Sequence, residues 1–208
     1  MIENYSQNYF EAINKSLIES NYKVLDSKIS SETFFTKINS ILHTIQKSNN
    51  KIYFLGNGAS AAFANHMALD FSKNGGILSY SLSDSSLLTA LSNDYSYDDA
   101  GVEFLKINKI DKNDLVITIS SSGNSANIIN VIDYCNNNDI NTLSLSGLKP
   151  DNLSNKKSKF SVFVPAYTYG IVECCHQVII HSILDRFMNI KEWNRDSFQN
   201  MSIENFNL

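Results

Sequence analysis

The chain has 208 residues, 43% of them hydrophobic, and a formal charge of -4 at neutral pH. That is enough apolar material for one substantial core and forces no second domain, so one domain over 1–208 is expected. Thinly spread Lys and Arg give no basic stripe for nucleic acid, and the longest apolar stretches are strand-sized, too short to span a membrane.

The N-terminal segment MIENYSQNYF is polar and acidic, without the charged-then-apolar layout of a secretion signal, so a soluble cytoplasmic protein is expected. From 4 to about 47 apolar residues recur at three- and four-residue intervals (Tyr9, Ile13, Leu17; then Phe34, Ile38, Ile41, Ile45). This predicts two N-terminal helices within 1–49, broken near 26–31. Five short segments rich in β-branched and aromatic residues follow: KIYFLG, GILSYSL, DLVITIS, INTLSLSG and FSVFVPA. Helical stretches at 60–73, 85–91, 99–107 and 125–136 alternate with them, which predicts a five-stranded, mainly parallel sheet in a core over 50–190. The expected architecture is an α/β three-layer sandwich. A last helix over 169–189 is apolar around much of its circumference, as at a subunit interface, and a polar tail over 191–208 carries no firm pattern. Cys135, Cys174 and Cys175 cannot all pair and sit in no activating motif, so reduced packing thiols are expected.

Two loops carry the first chemical signal. GNGAS, at 56–60, lies directly after a predicted strand and before a helix; there glycines let the backbone approach an anion and Ser60 either caps the helix or bonds the ligand. SSSGNS, at 120–125, repeats the arrangement with four hydroxyls (Ser120, Ser121, Ser122, Ser125) around the turn-permitting Gly123. Hydroxyls and helix-end N–H groups suit a phosphate monoester without any Lys or Arg. One such run is commonly a capped turn. Two at parallel strand ends point to a ligand.

The second signal is a set of possible metal ligands. His66 and Asp70, four residues apart on the helix that follows the first loop, project from one face. Glu173 and His181, eight apart on the last helix, reach toward the same side across two turns. Two nitrogens and two oxygens suit zinc and are tolerable to other first-row metals. Each pair alone fits a solvated face; all four beside phosphate-type loops favour a divalent cation. His43 reads as a surface residue, and His176 lies about 140° around the helix from His181, outside the metal set.

GNGAS followed by a helix, then SSSGNSAN, resembles the sugar isomerase (SIS) domain; NHMALDF, SNDYSYD and VECCHQVIIH resemble, more narrowly, the phosphoheptose isomerases, over roughly 5–187. The resemblance implies a SIS fold and places metal ligands at His66, Asp70, Glu173 and His181. It places substrate contacts at Asn57, Gly58, Ala59, Asn93, Asp94, Ser120, Ser121, Ser122 and Ser125. The family usually has Glu where Asp70 stands and Gln where Glu173 stands. Its phosphate-side Arg has no counterpart near 72–74, although Lys73 is close. The implied activity converts sedoheptulose 7-phosphate to D-glycero-D-manno-heptose 7-phosphate for the heptose of capsule or lipopolysaccharide. Asp70 or Glu173 would move the proton, with His181 as partner acid, in a homotetramer with sites between subunits. Two other readings stand beside it: a non-catalytic SIS-domain protein that binds a replication initiator or a phosphosugar, and an isomerase of another phosphosugar.

Overall fold

The computed structural model describes residues 4–191, and the polar tail expected beyond Lys191 lies outside the described residues. Helix α1 (Tyr5–Ile18) is followed by strands β1 (Asn21–Val24) and β2 (Ser27–Ile29) and by α2 (Ser31–Lys47). The alternating region runs β3 (Ile52–Gly56), α3 (Ala59–Lys73), β4 (Ser79–Ser81), α4 (Ser85–Asp94), α5 (Tyr97–Ile107) and β5 (Leu115–Ile119). It continues through α6 (Ala126–Asn137), β6 (Asn141–Ser146), α7 (Leu153–Lys157), β7 (Phe160–Phe163) and α8 (Tyr169–Phe187).

The sheet has seven strands in the order β2-β1-β7-β6-β5-β3-β4, not the five expected. The five expected strands are all present and mutually parallel. The extra pair, β1 and β2, is an antiparallel hairpin that docks antiparallel on β7, where the sequence reading placed only a helix break. Its two-residue turn is Leu25-Asp26, with Leu25 at a φ of 53°. Turns of this length ordinarily use Asn-Gly or Asp-Gly, because those residues tolerate positive φ. Leu25 is held by its N–H donating to the Lys159 carbonyl at 2.7 Å, a tertiary contact that no local signal announces.

Alternation along each strand divides the core in two. Ile52 and Phe54 of β3 and Leu115 and Ile117 of β5 face α2, α3 and α8, whereas Tyr53, Leu55 and Val116 face α4, α5 and α6. The result is three layers. Helix α8 buries Val172, Cys175, Ile179, Ile180, Ile183 and Leu184 against α1, α2, α3 and the sheet, which accounts within the chain for most of its apolar surface, while Val178 stays exposed. No helix among the described residues is long and apolar enough to cross a membrane.

The order of β3, β4 and β5 positions everything that follows. The chain leaves β3 for β4 on one side and returns to place β5 on the other, with Gly56 paired beside Ile119. In an open α/β sheet this reversal of direction opens a crevice at the carboxyl ends of the two strands. At their amino ends, Asp114 holds the pair together. Buried to 1% exposure, its carboxylate accepts from the N–H groups of Lys51 and Asp111, each at 2.8 Å, and from Asn50 Nδ2 at 3.2 Å. Removing it leaves buried donors unpaired. Asp114→Ala is expected to lower the unfolding free energy by about 3 kcal/mol, read as a lower urea midpoint by circular dichroism.

Candidate active site

Both loops predicted from the sequence leave the sheet at this crevice. In the first, Gly58 adopts a φ of 56° and ψ of -124°, which gives the chain its sharp passage from β3 into α3. A Cβ at Gly56 would come within 2.7 Å of the Ser60 backbone, so only glycine lets the strand end lie this close to the helix. Ser60 is buried; Gly58 and Ala59 are exposed at the crevice.

In the second loop Gly123 has a φ of 63°, and its N–H donates to the carbonyl and hydroxyl of Ser120 at 2.9 and 3.2 Å. Ser120 and Ser125 hydroxyls lie 3.5 Å apart. Buried Asn152 stands against Gly123 so closely that a Cβ there would sit 2.1 Å from its Oδ1. The loop is braced from behind by Ser154 N–H donating to the Gly123 carbonyl and Leu153 N–H donating to Asn124 Oδ1, each at 2.9 Å. Ser121 Oγ is buried without a protein partner.

Four of the helices carry a side-chain cap; α1, α8 and the two helices that open from the loops do not. Helices α2, α4, α5 and α7 are capped by the side chains of Ser30, Asp84, Ser96 and Asn152. Helices α3 and α6, which open from the two loops, have no side-chain cap. Their leading N–H groups, carrying partial positive charge, are left for an anion.

Of the four expected metal ligands, the structure brings together three. Ligand atoms of His66, Asp70 and His181 lie within 4.8 Å of one another, and His66 Nε2 is 3.2 Å from Asp70 Oδ2. The two imidazole rings meet at 5.4 Å between centroids, and Phe63 forms an apolar wall 5.8 Å from His181. Two nitrogens and one carboxylate oxygen converging from α3 and α8 fit a divalent cation with a coordination position left for a ligand. Glu173 stands outside the group. Eight helical residues advance about 12 Å along the axis, so sharing roughly one face of α8 with His181 does not bring the side chains to one point. Glu173 instead lines a small cleft with Ala59, Ser60, Phe63, Ile119, His176 and Gln177, against the bases of both loops.

The remaining predicted contacts divide. Asn57, at the first loop, is bonded to two side chains that sequence reasoning did not single out: Asn127 at the start of α6 and Tyr97 at the start of α5. Asn93 and Asp94, at the end of α4, are exposed and bonded to each other at 3.0 Å. Neither Asn127 nor Tyr97 could have been found by spacing, since they lie 70 and 40 residues from Asn57. His43 is exposed as expected, with its ring 4.7 Å from that of Phe187. All three cysteines are free; burial pushes the thiol of Cys135 up to about 12 and that of Cys175 to about 11, which removes them as nucleophiles near neutral pH.

His176, one residue from Gln177 in the Glu173 cleft, is 1% exposed. Its Nε2 lies 3.2 Å from the Ser146 carbonyl, so the ring donates there and ties α8 to the end of β6, while Nδ1 has no protein partner. Burial lowers its pKa to about 4, against a partial opposing effect of the Ser146 bond.

Comparison with known proteins gives the family and the fold. A family model described as SIS domain matches residues 31–147. The phosphoheptose isomerase of Aneurinibacillus thermoaerophilus is 32% identical over 178 residues, covering 81% of this chain and 89% of the relative. That of Helicobacter pylori is 30% identical over 194 residues, covering 89% of this chain and 95% of the relative. Among solved structures, phosphoheptose isomerase GmhA from Neisseria gonorrhoeae has a TM-score of 0.70 at 22% identity, covering 90% of this chain and 99% of that one. At that identity the likeness speaks for the fold.

The depressed His176 pKa makes a prediction about pH. Between the unfolded value of 6.5 and about 4, the unfolded chain carries a proton here that the folded chain does not. Stability contributed by the neutral ring is therefore intact above pH 6.5 and is lost as pH falls toward 4, by an amount on the order of 3 kcal/mol. Urea unfolding at pH 7 and pH 4.5 is expected to show this loss, and His176→Gln, which keeps a donor for Ser146, is expected to flatten it.

Proposed function

The chain belongs to the SIS domain family and, within it, to the phosphoheptose isomerases, and on that ground we propose that it is a metal-dependent isomerase of sedoheptulose 7-phosphate. The product is D-glycero-D-manno-heptose 7-phosphate, destined for the heptose of surface polysaccharide. The observation that carries the reading is the convergence of His66, Asp70 and His181 from α3 and α8, in a chain whose α3 and α6 open uncapped from the two glycine- and serine-rich loops. A non-catalytic sugar binder has no use for that cluster.

In this reading the 120–125 loop and the start of α6 hold the phosphate, through the hydroxyls of Ser120, Ser121, Ser122 and Ser125 and main-chain N–H groups. Asn57, Gly58, Ala59 and Ser60 meet the sugar, with Asn93 and Asp94 closing from α4. His66, Asp70 and His181 hold the cation, zinc by preference of the donor set. When bound, the cation polarises the sugar carbonyl and stabilises negative charge on oxygen.

Isomerisation removes a proton from C1 of the ketose and returns it to C2, while the hydroxyl proton passes from the C1 oxygen to the C2 oxygen. The carbons concerned must lie near the His66–His181 pair, and Asp70 is the carboxylate located there. We assign Asp70 as the base. It has two oxygens, one for the cation set and one for the proton. Glu173 stands where the resembling family carries glutamine, a residue that takes no proton, and it lines the small cleft by Ser60 rather than joining the cluster. The proposed setting is cytoplasmic, and the proposed assembly is a homotetramer, supported by Leu69 and Val178, which lie exposed on α3 and α8.

The direct test mixes metal-replete protein with sedoheptulose 7-phosphate and follows aldose formation. Absence of product refutes the activity. Chelation is expected to abolish turnover and zinc to restore it, with about one metal per chain lost on His66→Ala or His181→Ala by elemental analysis. Asp70→Asn is expected to lower kcat about 10³-fold, whereas Glu173→Gln stays within roughly tenfold of wild type; the reverse ranking would make Glu173 the base.

A further inference from the structure

The Asn57 side chain is the point at which three separate segments meet. Its Oδ1 accepts from the Tyr97 hydroxyl at 2.9 Å and from Asn127 Nδ2 at 2.8 Å, and its Nδ2 donates to Asn127 Oδ1 at 2.9 Å. A primary amide offers two acceptor positions and two N–H donors. Three of the four are therefore taken by the protein, and what remains is one Nδ2 hydrogen. All three side chains line a cavity of about 120 Å³ that also reaches Gly56 and Gly58 of the first loop and Gly101 of α5.

We infer that Tyr97 and Asn127 are positioning residues that hold the Asn57 amide in one plane, so that it meets the phosphosugar through a single remaining hydrogen-bonding position. The inference deepens the function proposed above and rests on it. Asn57 sits between Gly56 and Gly58, in a stretch where the backbone itself imposes little. An amide there, left alone, turns end over end and presents oxygen or nitrogen to the ligand with equal ease. The reciprocal pair with Asn127 fixes the plane of the amide, and the Tyr97 hydroxyl occupies the second lone pair of Oδ1. With Asn57 Nδ2 holding the free position, the ligand atom opposite is an acceptor: a carbonyl, hydroxyl or phosphate oxygen of the sugar. Ordering of the amide is completed on folding, so binding does not bear that entropy.

The arrangement also gives Tyr97 a reach that its exposure conceals. It lies three residues past Asp94, and its hydroxyl anchors the start of α5 to the first loop. The Asn93–Asp94 corner and the Asn57 loop are thereby held at one spacing.

A double-mutant cycle decides the matter. Tyr97→Phe, Asn127→Ala and Asn57→Ala are made singly and in pairs, and each protein is measured for the Kd of sedoheptulose 7-phosphate by calorimetry and for kcat/KM. Tyr97→Phe is expected to weaken both about fivefold and Asn127→Ala about tenfold, with wild-type thermal midpoints for Tyr97→Phe. In the Asn57→Ala background Tyr97→Phe is expected to have no further effect. An unchanged Tyr97→Phe protein, or a loss of the same size with and without Asn57, overturns the inference. If the wild type binds the heptose phosphate but does not convert it, the isomerase reading fails and the Kd cycle still judges the clasp. If it does not bind at all, both fall.

Discussion

Strands β3 and β5 run side by side because the chain reverses its direction across the sheet between them, and the register that pairs Gly56 with Ile119 makes both strands end at the same level. Almost everything chemical in the molecule depends on that adjacency. Two loops of small residues emerge together, and the helices they open, α3 and α6, start at one crevice with their N–H groups uncapped. The same geometry carries α3 across to α8, so His66 and Asp70 arrive beside His181. Asp114, clamping the opposite ends of the two strands, keeps the pair in step over its whole length.

Under the proposed function the site would hold opposite charges by different means. The anion would be met by dipoles, hydroxyls and glycine-permitted backbone approach, with no cationic side chain built into either loop. The cation would be held by His66, Asp70 and His181 from two helices, with Phe63 beside them. Separating the two duties would let one end of an extended phosphosugar be gripped while chemistry proceeds at the other. His176, neutral and pinned to Ser146, keeps α8 in place between them.

The parts legible in the sequence are those written in local periodicity and turn chemistry. All five parallel strands, both loops, and helices α3, α5, α6 and α8 could be read from alternation, from helical spacing, and from Gly and Ser at strand ends. The hairpin at 21–29 could not, since its turn uses Leu25 in a left-handed conformation stabilised by the distant Lys159 carbonyl. The site divides on the same principle. His66 with Asp70 is a single-turn relation and was visible; Glu173 with His181 was read from angle alone, although the rise along α8 keeps Glu173 apart from the cluster. Asn127 and Tyr97 lie within the SSSGNSAN and SNDYSYD motifs, but their bonds to Asn57 form only through tertiary folding, so the motifs gave their place and not their partner.

The short hairpin has a consequence at the sheet's margins. Its outer strand, β2, is three residues long and carries exposed Lys28, and the opposite outer strand, β4, is also three residues long. Strand-by-strand extension from one molecule into the next needs a longer, flatter row of unpaired backbone groups than either margin offers. Among the described residues, both margins are therefore too short to template a neighbouring strand, which guards the sheet against fibrous growth.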